Sequence, residues 1–463
     1  MATILAPGVV VEEKRSLGKA ATPANTSIPL FIGHTERGST EPRRIRSMEE
    51  YEVHFGKAHP FIQIALNGGA LHPLSNVIHP THTLYYALQL FFANGGEVCW
   101  VASVGGYLPN VDQMPPLQAP VDYTKLVPKI SVQAALDASL SIEEISLVCV
   151  PEVPCIPNDK AAVRGDVINA VMTHCGTLGS RFAIVDEYAR AGDDIASFRN
   201  LVQNSFMSYG AAYYPQVGYG LGVPDSAVIV MEQSLFGATG INLDKALAEG
   251  QTNVTAQATT IRNTASRLFN LYVGTCGAVA AQYGVTDRNR GVWKAPAGMT
   301  LAGCTKPFIG WQAYDDGPLY DGSGNGKDVN RIRLAGNYGA QVWGARTLAG
   351  NDLDYRYIPV RRLMTYIGQT LKRSTSYAVF QANNANTWTE LRNMCEGLLN
   401  DLWRQGALMG AKPSEAYQVR IGLGQSMNAD DVLQGRLKIM IAVAPVRPAE
   451  FVSISFSHFV NPA

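Results

Sequence analysis

The sequence lacks a long apolar run, an excess of charge of one sign, and a basic leader followed by an apolar stretch. A membrane-spanning helix needs about 20 consecutive apolar residues, so no direct membrane insertion is predicted. The start of the chain does not have the pattern of a signal peptide. With 38 basic and 38 acidic residues, the formal net charge is +0. Because no net field would attract polyanions, no nucleic-acid partner is expected.

Closely spaced cysteines are also absent. The seven cysteines lie at residues 99, 149, 155, 175, 276, 304 and 395 and form no C-x-x-C pair. An odd number at irregular spacing argues against a disulfide framework. The sequence therefore predicts reduced and mostly buried thiols.

Catalytic signatures are missing as well. No G-x-S-x-G motif marks a serine nucleophile. The adjacent carboxylates Asp315 and Asp316, like Glu143 and Glu144, would point in different directions on a regular element and make poor acid–base pairs. The glycine-rich residues 321–328 have the wrong spacing for a phosphate-binding loop and end in Asp328 where Ser or Thr is needed. No catalytic residue and no cofactor is predicted.

Metal ligands are equally sparse. His79 and His82 could place two imidazoles near one ion, but no carboxylate or thiol completes the set before the helix that starts near Leu84. Read as a calcium loop, the segment from Asp321 has Ile332 at the twelfth position, where a bidentate glutamate is required. No metal site is predicted.

An alternation of helix and strand patterns occupies the middle of the chain. Residues 163–175 and 195–209 have helical spacing, and residues 181–185, 211–217 and 227–231 read as buried strands. This order is typical of an α/β layer.

Both ends of the chain are rich in strand patterns. An amphipathic helix with Trp388, Leu391 and Leu402 on its apolar face precedes three strand-like segments at 416–421, 437–443 and 451–459. Val9, Val10 and Val11 form a short strand pattern near the start. In a monomer such ends would leave edges that are prone to pair with other chains, and we expect that pairing to be functional.

Several segments, in order along the chain, resemble contractile tail sheath proteins of phages and phage-like injection particles. The similar segments are PGVVVEE at 7–13, FIGHT at 31–35, LYYALQLFFANGG at 84–96, RGVWKAPAG at 290–298, VWGARTL at 342–348, VRRL at 360–363, LWRQGALMG at 402–410 and APVRPAEF at 444–451. Between about residues 104 and 287 the resemblance is weak. The succession of segments is more specific than any one of them.

The resemblance implies an α/β (α+β) fold with a sheath domain formed from both ends of the chain. The expected division is an N-terminal arm and linker at 1–25, sheath domain at 26–103 and 322–450, an inserted outer α/β domain at 104–321, and a C-terminal arm at 451–463. Family resemblance also implies that the arms add strands to a neighbour's sheet, built from residues 416–421 and 437–443. The arm residues expected to pair are Val9, Val10, Val11, Phe451, Ile454 and Phe456.

Two sets of charged residues are further candidates for contacts. The polar face of the helix after Trp388 is predicted to face an inner tube, and the alternative is that its charges are only solvated. These residues are Glu390, Arg392, Glu396, Asp401 and Arg404. Arg361, Arg362 and Arg447 are predicted to form charged contacts between protomers.

The implied function is that of a structural protomer, not an enzyme. Copies would polymerise helically around the tube and contract to drive it through a target cell envelope. The implied partners are further copies of the chain, the inner tail tube protein, the baseplate and the tail terminator or cap proteins. Its place would be a virion tail or phage-tail-like particle assembled in the host bacterial cytoplasm. The alternatives are a non-contractile scaffold or baseplate component and an α/β enzyme.

Overall fold

The structure, a computed structural model, describes residues 21–67, 70–73, 82–107, 128–156, 160–187, 195–231, 240–268, 271–308, 326–334 and 339–450. The strands are β1 Pro29–Gly33, β2 Arg43–Ile45, β3 Ile62–Asn67, β4 Ala70–Pro73, β5 Cys99–Ser103, β6 Leu147–Cys149, β7 Phe182–Asp186, β8 Gly210–Tyr214, β9 Val217–Tyr219, β10 Val228–Met231, β11 Ile241–Asn242, β12 Tyr272–Val273, β13 Cys304–Pro307, β14 Val329–Leu334, β15 Ala340–Trp343, β16 Tyr417–Ile421 and β17 Ile439–Val443.

The helices connect these strands and cover the sheets. They are α1 Met48–Phe55, α2 Leu84–Ala93, α3 Lys129–Ala138, α4 Ala161–Leu178, α5 Ile195–Leu201, α6 Leu243–Ala248, α7 Thr252–Leu268, α8 Cys276–Arg290, α9 Ile358–Thr375, α10 Ala385–Arg404, α11 Pro413–Ala416 and α12 Ala429–Leu433. Within the described residues no helix is long and apolar enough to cross a membrane.

Two compact units make up the chain. The small unit contains the described residues up to Ala24 together with Ile367–Val446, and the large unit contains Asn25–Tyr366 together with the residues from Arg447. The boundary between residues 366 and 367 falls inside α9.

An eight-stranded sheet in the order β15-β14-β8-β7-β6-β1-β5-β2 forms the centre of the large unit. From β14 to β5 all neighbours run parallel, while β15 and β2 are antiparallel edge strands. Parallel strands need both faces covered because their crossover helices lie on the faces. The continuous burial of β1, β7 and β8 agrees with this rule.

The two faces of this sheet have separate cores. Alternation along β1 sends Phe31 to one core, where α2 and α8 pack, and Leu30 and Ile32 to the other, where α3, α4 and α5 pack. The crossing of α2 and α8 depends on Gly277, since a Cβ atom there would lie 2.0 Å from the carbonyl oxygen of Ala87. Smaller sheets β11-β10-β3-β4 and β12-β9-β13 complete the large unit.

The mixed α/β class is confirmed, but the sheet does not follow the expected domain boundaries. Strands on both sides of residue 104 are hydrogen-bonded neighbours, because β1 pairs with β5 on one side and with β6 on the other. Residues 104–321 therefore do not separate as a compact unit from residues 26–103. The predicted helix at 163–175 lies within α4, and the strand at 181–185 largely coincides with β7. The predicted helix at 195–209 is shorter, since α5 ends at Leu201.

Candidate assembly sheet

Helix α10 carries the apolar stripe expected from its sequence. Asn384 begins the helix, because its side-chain oxygen accepts hydrogen bonds from the backbone N–H groups of Asn386 and Thr387, at 3.1 and 3.2 Å. Gly406, with φ 81°, follows its last turn. The buried residues recur at spacings of three and four: Leu391, Met394, Cys395, Leu399 and Leu402.

Strands β16 and β17 form a two-stranded antiparallel sheet, called here the assembly sheet. Its register pairs Tyr417 with Val443 and Ile421 with Ile439. Val419, Ile421, Ile439 and Ile441 pack against the apolar stripe of α10, while the alternate residues face solvent. The structure thus forms a sheet from the two segments expected to receive arms.

Both outer edges of the assembly sheet lack a paired strand among the described residues. In an antiparallel pair, opposed residues alternate between hydrogen-bonded and non-hydrogen-bonded pairs. The N–H of Ala444 donates to the carbonyl of Ala416, which fixes the phase of this alternation. By that phase, six residues direct their backbone N–H and C=O groups towards the outer edges: Tyr417, Val419, Ile421, Ile439, Ile441 and Val443.

The residues that precede the C-terminal arm are held in the large unit. The guanidinium of Arg346 donates from Nε to Glu450 Oε2 at 2.9 Å and from Nη1 to Asp328 Oδ2 at 2.8 Å. Burial alone would lower the pKa of Arg346, but the hydrogen bonds to the two carboxylates raise it above its usual value. Such bidentate, charge-assisted contacts are stronger than neutral hydrogen bonds. The chain is therefore fixed at the residue before the predicted arm.

The residues that follow the N-terminal arm are held in the small unit. The N–H of Thr22 donates to Ser374 Oγ at 2.8 Å, and the N–H of Ala24 donates to Thr370 Oγ1 at 3.1 Å. The last residues of the expected arm and linker at 1–25 are thus attached to α9. The arm residues Val9, Val10, Val11, Phe451, Ile454 and Phe456 lie outside the described residues.

Arg361 and Arg362 differ from the surface charges that the sequence analysis expected. The Arg362 guanidinium pairs with Asp287, with Nη1 2.9 Å from Oδ1, and is 4% exposed. The Arg361 guanidinium lies 3.4 Å from the Tyr355 ring centroid and donates to Ser208 Oγ at 3.0 Å. Both arginines are buried within the large unit, so they are poorly placed to reach another protomer.

Arg447 and the predicted tube-facing residues differ in exposure and in their contacts within the chain. Arg447 is exposed, with Nη2 3.8 Å from Asp354 Oδ1. Arg392 donates to the Ile421 carbonyl and to Gln425 Oε1, so it holds the turn after β16. Glu390 accepts from the hydroxyl of Tyr377, and burial together with this hydrogen bond raises the pKa of Tyr377 to about 12. Of the other three residues on the polar face, Asp401 and Arg404 are exposed and Glu396 is half-buried.

Some residues at this site were not found by sequence reasoning. Arg346 lies in the similar segment at 342–348, but nothing in its spacing indicates that Glu450 is its partner. All seven cysteines are unpaired, and all but Cys155 are buried, which confirms the expectation that the thiols are mostly buried. A buried cluster of His34, His82 and Glu152 in the large unit was also missed.

Comparison with known proteins identifies the C-terminal region first. Residues 351–457 match the family model of the phage tail sheath C-terminal domain. This range contains α10 and both strands of the assembly sheet. No curated protein sequence matches the chain.

Solved structures match nearly the whole chain. A chain of the anti-feeding prophage (AFP) helical sheath in contracted state is 26% identical, with a TM-score of 0.64 and coverage of 99% of both chains. A chain of the six-fold symmetrised AFP baseplate is 26% identical, with a TM-score of 0.63 and coverage of 98% of this chain and 99% of that chain. A chain of the contracted PVC sheath, from an extracellular contractile injection system, shares the fold at 23% identity and a TM-score of 0.64, with coverage of 99% of both chains. The resemblance found in the sequence is therefore confirmed: the chain carries the phage tail sheath C-terminal domain and has, over nearly its whole length, the architecture of contractile sheath proteins.

Proposed function

We propose that this chain is the protomer of a contractile sheath that polymerises helically around an inner tube and shortens to drive that tube through a target cell envelope. The observation that carries the proposal is the full-length likeness to a sheath in its contracted state. The protomer is structural and not enzymatic in this proposal, since the work comes from exchanging contacts between copies.

The two edges of the assembly sheet are where neighbouring copies attach. An added strand satisfies backbone N–H and C=O groups that otherwise bond only to water. Val419, Ile439, Ile441 and Val443 direct such groups outwards, whereas the N–H of Tyr417 and the C=O of Ile421 already have hydrogen-bond partners within the chain. In the proposal, the strand around Val9, Val10 and Val11 of one copy and the strand around Phe451, Ile454 and Phe456 of another fill the two edges.

The anchors at the base of each arm explain how a copy can move while remaining attached. Glu450 fixes the start of the C-terminal arm, and the contacts of Thr22 and Ala24 fix the end of the N-terminal linker. Contraction then changes the angle and distance between copies without breaking main-chain pairing.

Surface contacts tune this transition. Arg447 is the remaining candidate for an ion pair between protomers, and exposed pairs contribute only about 0–1 kcal/mol. Glu396, Asp401 and Arg404 are the candidates for contact with the inner tube. The other proposed partners are the baseplate and the terminator or cap proteins, in a tail-like particle assembled in the host bacterial cytoplasm.

Deletion of residues 2–13 tests the proposal directly. Purified wild-type protein should form hollow helical tubes in negative-stain electron microscopy. The truncated protein should remain folded, with an unchanged unfolding midpoint, but should form no tubes because the lost hydrogen bonds are intermolecular. As a matched control, replacement of residues 16–20 by a Gly-Ser linker of equal length keeps the arm strand and should preserve the tubes.

Two results would overturn different parts of this proposal. Normal tubes from the truncated protein would contradict arm pairing. Discrete closed oligomers from the wild-type protein, with no tubes under any assembly condition, would contradict the sheath function itself.

A baseplate-proximal ring is the second candidate function. The full-length match to a chain of the six-fold AFP baseplate supports it. Such a protein would form six-membered rings and would not add further layers, so the same micrographs distinguish the two functions.

A further inference from the structure

A buried polar cluster lies at one end of the parallel sheet in the large unit. His34 directly follows β1, and Glu152 follows β6, the neighbour of β1. The chain places β5 on one side of β1 and the later strand β6 on the other, so the strand order reverses here. In open α/β sheets, ligands bind in the crevice at such a reversal, beyond the carboxyl ends of the strands.

The cluster brings together three side chains that commonly bind transition metals. His34 Nδ1 lies 3.0 Å from Glu152 Oε2, and His82 Nδ1 lies 3.8 Å from Glu152 Oε1. Each residue can offer one ligand atom such that all three atoms lie within 4.8 Å of one another. His34 is 3% exposed, His82 is 2% exposed and Glu152 is fully buried.

One oxygen of Glu152 has no hydrogen-bond donor among the described residues. Oε2 accepts from both the backbone N–H and Nδ1 of His34, at 3.0 Å each, whereas Oε1 accepts none. Leaving a buried carboxylate oxygen without a partner costs free energy. That oxygen is on the side of His82, where a bound cation would satisfy it.

We propose that His34, His82 and Glu152 bind one divalent transition-metal ion, with Zn²⁺ as the best match. Two imidazoles and one carboxylate form a known zinc ligand set, and a tetrahedral zinc ion holds such ligand atoms about 3.3 Å apart. The two imidazoles approach different oxygens of the Glu152 carboxylate, at 3.0 and 3.8 Å, and one ligand atom from each residue lies within 4.8 Å of the others. Calcium and magnesium fit poorly because they prefer six or more oxygen ligands.

Metal binding at this position would join three separate segments of the large unit. The ion would connect His34 directly after β1, Glu152 three residues after β6, and His82, which precedes Thr83 at the start of α2. The imidazole nitrogens that bind the ion would have to be free of protons, and water would occupy the fourth position. The N-terminus of α2 disfavours a nearby cation, and the carboxylate of Glu152 offsets that effect.

Titration of the metal-stripped, purified full-length chain with Zn²⁺ against a chromophoric chelator tests the site. We expect one ion per chain and a rise in the unfolding temperature when Zn²⁺ is added. E152Q and H82N should each weaken binding at least about 100-fold, because E152Q removes the carboxylate charge and H82N removes the imidazole. The matched control is H72N, which removes an exposed histidine of the same unit and should leave binding unchanged.

Cobalt substitution keeps the test decisive if the variants fail to fold. Wild-type protein loaded with Co²⁺ should show the strong visible bands of a four-coordinate site without the thiolate charge-transfer band that cysteine ligands produce. Weak six-coordinate bands, a thiolate band, no stoichiometric binding, or equal loss in H72N would each overturn the inference. None of these results bears on tube formation, so this inference and the proposed function fail independently.

Discussion

The eight-stranded sheet of the large unit and the assembly sheet of the small unit differ in their edge strands. The large sheet ends in β2, which is three residues long and carries two arginines, and in β15, which is four residues long and ends in a tryptophan. Short, charged or bulky edge strands resist further pairing. Both strands of the assembly sheet are five residues long, and both are edges. Among the described residues, both strands of the assembly sheet have one unpaired side, whereas six of the eight strands of the large sheet are paired on both sides.

The largest expected effect is on the free energy of unfolding, and it comes from the buried ion pair of Arg362 in the large unit. Arg362→Ala leaves the carboxylate of Asp287 buried without its ion-pair partner, which typically costs about 3–5 kcal/mol. Urea unfolding of the purified chain should show this loss. Arg447→Ala, at an exposed arginine, should change the free energy of unfolding by less than about 0.5 kcal/mol. Equal effects of the two substitutions would mean that Arg362 is not part of the core.

The second prediction concerns the open edges of the assembly sheet. In the free protomer, the amides of Val419 and Ile441 should exchange hydrogen quickly because they point to solvent. In assembled tubes their exchange should slow by at least about 100-fold, equivalent to an opening free energy of about 2.7 kcal/mol. The amides of Gln418 and Ala442 point into the existing pair and serve as internal controls, protected in both states. Residue-resolved hydrogen exchange that shows no contrast between the two sets would contradict arm pairing.

The smallest expected effect is the change of stability with pH that comes from a buried histidine. None of the eight histidines lies before residue 25 or between residues 367 and 446, so the small unit contains no histidine. Burial, and then the charge of Arg181, lower the pKa of His174 to about 4, while Asp137 acts in the opposite direction. The folded state binds this proton less readily than the unfolded chain, whose histidine pKa is about 6.5. Stability contributed by neutral His174 is therefore present above about pH 6.5 and is lost as pH falls towards 4.

The variant His174→Gln isolates that contribution. Glutamine can still accept the hydrogen bond from Arg181 Nη1, which is 2.7 Å from His174 Nε2, but it cannot take up a proton. At pH 5 the variant should lose up to about 2 kcal/mol less stability, relative to pH 7, than the wild type does. Hydrogen exchange around α10 should show no difference between the two proteins at either pH. A pH slope that His174→Gln leaves unchanged would assign the titration to other groups.

The sequence predicted local structure well where periodicity and burial agree. The stripe of α10 and the alternation of β16 and β17 are visible in the printed sequence because each element buries only one face. Strand β7 was also visible because it is a continuous apolar segment between turns. These features depend on residues close together in the chain.

Features that depend on distant residues were not predictable. The pairing of β1 with β6 joins residues more than a hundred positions apart, and sequence spacing does not reveal it. The same limit explains the missed partners Arg346 with Glu450 and His34 with Glu152. Arg361 and Arg362 were expected at the surface because charged residues usually lie there. Their burial became evident only with the positions of Tyr355 and Asp287.

The two open edges of the assembly sheet also set the connectivity of the proposed polymer. Each copy would accept two strands and donate two. It would therefore be linked to its neighbours by four connections, as in a two-dimensional network, and not by two as in a linear chain. A net with four links at each node stays connected when any one link is cut, because every copy is still reached through its other neighbours. A mixture of wild-type chains with a few armless ones should therefore tolerate the defects up to a threshold fraction and then lose long-range order abruptly, as a percolating network does.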